Sequence, residues 1–159
     1  MGTSQAMAED LVVGLMKSNA SHIELVKDAS FDVGYGCIGN TSTETVIGLG
    51  EVDFGTDGTN YKATGVEFAH GWGSYDEEKI VVLSAGATAE EAVPFNEMTV
   101  TRTYGYHQFE LFAENMDKGD GFALPTGKQK VWLTFRAGQG NLRSVKFYEN
   151  AISEGMEGV

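Results

Sequence analysis

Apolar and polar positions alternate with a period of two in short runs over most of this chain, and most regularly between Pro125 and Glu149. There Val131, Leu133 and Phe135 fall on one face of a strand, and Leu142, Val145 and Phe147 supply the apolar positions of a second one beyond a Gly-rich turn. From His22 onward similar runs recur between clusters of Gly, Asn, Asp and Ser. They predict strands over 23–27, 45–53, 61–69, 79–84, 98–102, 108–113, 128–136 and 142–148. Strands this short and this evenly spaced predict an all-β fold, a jelly-roll β-sandwich of two antiparallel sheets. The segment ATAEEAV, over 87–93, suits either a helical turn or a connecting loop. The start of the chain has another rhythm: Met7, Leu11, Leu15 and Met16 recur at helical spacing with Ser4 as a cap, predicting a short amphipathic helix. SNAS (18–21) reads as a break, which divides the chain into a helix, linker or leader over 1–21, a β-sandwich module over 22–150 and a tail over 151–159.

Length and composition narrow the class. The 159 residues suffice for one domain with its own core, and 42% apolar residues exclude a disordered chain. No apolar run approaches the roughly 18 residues that a membrane-crossing helix needs, so a soluble globular protein is expected. With 23 acidic against 11 basic residues the net charge is −12. A field of that sign repels phosphate backbones and anionic headgroups, which argues against nucleic acid and membrane as partners and leaves a neutral ligand unpenalised. Cys37 is the single cysteine, so no internal disulfide and no multi-cysteine metal cluster exists; it reads as a small buried hydrophobe. Met1 is followed by neither a basic nor a long apolar segment of a secretory signal.

The chain offers little for catalysis. His22, His70 and His107 are scattered and form no HxH or HExxH pattern. Glu110 and Glu114 alternate onto one face of a strand, where a solvated face is the simpler reading than an acid–base pair. NMDKGDG (115–121) alternates oxygen donors but lacks the downstream Glu of a calcium loop and reads as a polar turn. No nucleophile stands beside a visible base. More informative are aromatic residues flanked by Gly and short polar residues: Tyr35, Trp72, Tyr75, Tyr104 and Tyr106. A planar ring exposed in a loop matches the apolar face of a pyranose, with hydroxyls read by amides and carboxylates at the rim; the alternative is that these rings fold back as lids on the sandwich ends.

IGNTSTETVIGLGEVDFG (38–55) with the strand YKATGVEFA, TYGYHQFELF, and PTGKQKVWLTFRAGQGNLRSVKFYE together resemble, in order and spacing, the family 6 carbohydrate-binding modules. The resemblance runs from about Ile23 to Glu149. It implies a jelly-roll sandwich that binds a neutral, β-linked polysaccharide in a cleft among the loops at one end, joined to a glycoside hydrolase and extracellular or at the cell surface. Tyr106 takes the place of one stacking wall. Cys37 stands where the family has the opposing aromatic, and Tyr35 is the ring nearby. Ser144 takes the place of the cleft-floor asparagine, with Asn141 close by. Asn40 and His107 are further polar candidates at that end, and Trp72 a further ring. No cofactor is required, although the family's structural calcium makes Glu24 a candidate ligand; Val26 and Lys146 stand where further acids belong. Two other readings stay open: an interaction or structural domain that has lost its sugar site, and a small β-sandwich enzyme.

Overall fold

The computed structural model describes residues 10–12, 23–32, 34, 37–70, 79–100, 103, 105–116, 121–137 and 140–151. Its strands are β1 (Asp10–Val12), β2 (Glu24–Lys27), β3 (Ser30–Asp32), β4 (Cys37–Gly39), β5 (Val46–Asp53), β6 (Ala63–Ala69), β7 (Lys79–Ala85), β8 (Val93–Val100), β9 (Glu110–Asn115), β10 (Lys128–Ala137) and β11 (Asn141–Tyr148). One sheet has the order β3-β4-β11-β6-β9, with β1 also paired to β11; the other runs β2-β5-β10-β7-β8. Neighbouring strands in both sheets pair antiparallel. The expected two-sheet sandwich is the fold found.

The core lies between the sheets. Val131, Leu133 and Phe135 of β10 face Leu142, Val145 and Phe147 of β11 across one buried cluster. The uneven spacing of the second trio has a geometric cause: the β11–β6 register shifts between Leu142 and Ser144, and this bulge returns Val145 and Phe147 to the buried face. Rings interlock inside, with Phe54 at 5.5 Å from Phe95 and 5.7 Å from Phe147 in edge-on contact. Trp132, on the opposite face of β10 from that trio, is buried too, and its indole N–H donates to the Gly86 carbonyl at 3.0 Å.

Three expectations change. Asp10–Val12, within the predicted helix, are instead strand β1, paired to Ser144–Lys146; backbone pairing at a sheet edge outweighs the weak helical spacing there. The rest of that helix lies outside the described residues. ATAEEAV is a connecting turn as far as Ala92, and β8 begins at its last residue, Val93, five residues earlier than the pattern predicts. Finally, β3 and β4 are three-residue strands that no run of alternation announced.

Candidate functional site

Four segments distant in sequence meet at one end of the first sheet. Tyr106 and His107 are the two central residues of a β-turn closed by the Gln108 amide donating to the Gly105 carbonyl at 3.3 Å, and both are exposed. The turn hangs from β6: Thr103 exchanges backbone and side-chain hydrogen bonds with His70 at 3.1 and 3.2 Å. Beside it, Thr41 and Gly140 are clipped reciprocally, the threonine hydroxyl donating to the Gly140 carbonyl at 2.5 Å and accepting from the Gly140 amide at 2.9 Å. Gly140 is required by close approach, since a Cβ there would sit 2.3 Å from the Phe68 ring and 2.8 Å from the Ala69 carbonyl oxygen. Asn141 then donates its amide to the Tyr106 carbonyl at 2.5 Å, fixing the turn against β11. Asn40, at φ 57°, donates to the Ser30 hydroxyl at 2.7 Å and so ties the end of β4 to β3.

The result is an open concavity of about 570 Å³ between β3 and the Tyr106 turn, floored by Gly39, Asn40, Thr41, Gly140 and Asn141. Phe31 and Tyr106 both line it, at 40% and 44% exposure. Among the described residues only four large apolar side chains are this exposed, the others being Val26 and Val93, so two rings sharing one hollow is a concentration of exposed apolar surface. The rim between the rings is neutral and hydrogen-bonding, apart from the Asp32 carboxylate.

Solved structures share this architecture at low sequence identity. A family 6 module from Clostridium stercorarium in complex with cellobiose superposes with a TM-score of 0.64 at 12% identity, over 90% of this chain and 95% of that one. A family 6 module from Clostridium cellulolyticum in complex with xylose gives 0.59 at 18% identity, over 89% and 98%. The chain has the fold of family 6 carbohydrate-binding modules. A glycoside hydrolase family 43 arabinoxylan arabinofuranohydrolase from Bacillus subtilis, in complex with cellotetraose, matches with a TM-score of 0.54 at 17% identity, over 76% of this chain but only 23% of the enzyme. No family model and no curated protein matches the chain.

On this family 6 fold the expected residues divide. Tyr106, Asn40 and Asn141 come together in the concavity. His107 sits beside it on the same turn, its Nε2 3.9 Å from the Asp32 carboxylate on β3. Ser144 does not line the concavity: it is buried on β11, and its hydroxyl donates to Glu67 of β6 at 2.6 Å. Tyr35 and Trp72 lie outside the described residues. Glu24 lies elsewhere, on β2, against a small hollow that it shares with Lys130, Gly48 and Trp132. A calcium ion takes six to eight oxygens, and among the described residues Glu24 is the one acid lining that hollow. Besides Gly39 and Gly140, the lining residues that sequence reasoning missed are Ser30, Phe31, Asp32 and Thr41. Cys37 is buried, and its thiol is pushed up to about 11 by burial and, secondarily, by the Asp32 carboxylate, with the Arg143 guanidinium opposing.

Proposed function

We propose that the chain is a non-catalytic carbohydrate-binding module that takes a neutral, β-linked polysaccharide in the concavity between β3 and the Tyr106 turn. The observation carrying this reading is the pair of exposed rings, Phe31 and Tyr106, on one hollow whose floor is amide, hydroxyl and glycine backbone. Ring faces bury the C–H surface of a pyranose, and Asn40, Asn141 and Thr41 offer neutral donors and acceptors to its hydroxyls. His107 adds a polar group at the rim. A volume of about 570 Å³ is in the range of small-ligand sites. The sugar complexes of the two Clostridium modules support the ligand class, and the match to 23% of the arabinofuranohydrolase supports linkage to a glycoside hydrolase. The module's work is then to hold that enzyme on its polymer.

Affinity electrophoresis through gels containing soluble β-glucan, xylan or mannan tests the reading, with an assay for new reducing ends on whichever polymer retards the protein. Retardation by at least one polymer without product release is expected. Migration unchanged in every gel favours an interaction domain that has lost its sugar site. Product release that survives repurification makes the chain an enzyme.

A further inference from the structure

We propose a site for a borderline divalent cation of the Zn²⁺ class, formed by Asp32, Cys37 and His107. Their donor atoms, a carboxylate oxygen, the thiol sulfur and an imidazole nitrogen, all lie within 4.8 Å of one another, the only such group of three or more among the described residues. Two of them are placed by strand pairing, since Asp32 of β3 stands directly opposite Cys37 of β4. The third arrives on the Tyr106 turn, which brings His107 Nε2 to 3.9 Å from Asp32 Oδ2. Ligands about 2.0–2.3 Å from a tetrahedral ion are roughly 3.3–3.8 Å apart, so closing around one requires the donor separations to shrink by at most about 1.5 Å. The mobile partners are the right ones: the Asp32 and His107 side chains are 43% and 37% exposed, whereas the Cys37 side chain is fixed in the core.

Ligand chemistry selects the ion. A thiolate and an imidazole suit Zn²⁺ or Co²⁺ and are poor ligands for Ca²⁺ and Mg²⁺, which prefer oxygen. Binding replaces the thiol proton, which leaves to solvent. The resulting set, thiolate, carboxylate, neutral imidazole and a doubly charged ion, sums to zero, so no net charge is buried at Cys37. The Arg143 guanidinium on β11 is in electrostatic reach of the sulfur and favours the thiolate while opposing the ion; it is packed over the Phe109 ring at 4.1 Å. Three protein ligands leave a fourth position open, and the exposed carboxylate and imidazole provide the entry path. Such an ion joins β3, which carries Phe31, to the turn that carries Tyr106.

The test is titration of the chelator-stripped full chain with Zn²⁺ by calorimetry and with Co²⁺ by absorbance. One equivalent is expected, with a near-ultraviolet thiolate-to-cobalt charge-transfer band that Zn²⁺ removes and excess Ca²⁺ does not. Because His107 is exposed, His107→Ala keeps the fold and should weaken Zn²⁺ at least about tenfold, as should Asp32→Asn. Cys37→Ser should abolish the band. A Co²⁺ complex without the band, Zn²⁺ binding that His107→Ala and Asp32→Asn leave unchanged, or displacement by Ca²⁺ at equal concentration overturns the proposal.

Discussion

At the scale of single residues the concavity has two kinds of side chain: exposed ones, which the proposed function assigns to the ligand, and those that hold the frame. Phe31 and Tyr106 are exposed, so truncating either removes stacking surface without opening the core. One stacked ring is worth roughly 1–2 kcal/mol, and Phe31→Ala and Tyr106→Ala should each weaken polysaccharide binding ~5–30-fold by calorimetry with circular dichroism unchanged. Ser144→Ala is the contrasting variant. Its hydroxyl serves Glu67, so affinity should stay at the wild-type value while stability falls by about 1 kcal/mol. Tyr106 was legible in the sequence because Gly105 and short polar neighbours leave a ring without local cover. Phe31 was not, since nothing in DASFDVG distinguishes a covered ring from an open one; it stands opposite the buried Ile38, and only the position of β3 at the sheet edge leaves it exposed. Cys37 yields a pH prediction. Its thiol rises from 9.0 to about 11 on folding, so the folded state prefers the protonated form. Its contribution is therefore complete below pH 9 and is lost as pH climbs from 9 to about 11, an effect of roughly 2–3 kcal/mol. Urea unfolding in chelator should show the stability advantage of wild type over Cys37→Ala shrinking across that window; a constant difference would contradict it.

At the scale of elements, the long strands were readable and the short ones were not. β10 presents Val131, Leu133 and Phe135 at strict alternation, and both of its neighbours, β5 and β7, confirm a central buried strand. β11 was readable despite breaking the alternation, because a bulge restores what the spacing of Leu142 and Val145 violates. β3 and β4 are too short for any period to register, yet they form one wall of the concavity; the site was thus less legible than the fold for a physical reason, namely that its wall is made of edge segments whose position depends on tertiary pairing. The start of β8 was hidden by Pro94, which argues against a strand, and by the polar Asn96 and Glu97; pairing to β7 takes them in nonetheless, with a register shift at Leu83/Ser84 beside the proline. The connection between β10 and β11 can be tested directly. In Gly140→Ala the new methyl meets the Phe68 ring and the Ala69 carbonyl, which forces the turn outward and strains the Thr41 clip. We expect a loss of about 1–3 kcal/mol in chemical denaturation, with sugar affinity falling in the folded fraction as well.

At the scale of the whole molecule, a net charge of −12 sets what the proposed polymer binding should look like in salt. A neutral glycan carries no charge for that field to act on, so affinity for it should change less than about twofold between roughly 0.05 and 0.5 M NaCl, whereas an anionic polymer such as polygalacturonate should be refused at low salt and approached only as screening increases. Calorimetry with both polymers across that range checks the pair, and a steep salt dependence with the neutral one would count against stacking as the driving force. The overall sandwich was legible from the recurrence of short strands alone; which loops share an end was not, because that depends on strand order. The clip between Thr41 and Gly140 joins positions 99 apart in the chain. A polypeptide emerging from the ribosome therefore displays Phe31 and Tyr106 well before it owns the floor between them, and folding of such non-local β-topologies is slow. On the proposed reading, polymer recognition needs the last strands in place, so a chain stalled or clipped before them should not bind the polysaccharide however many of its rings it exposes.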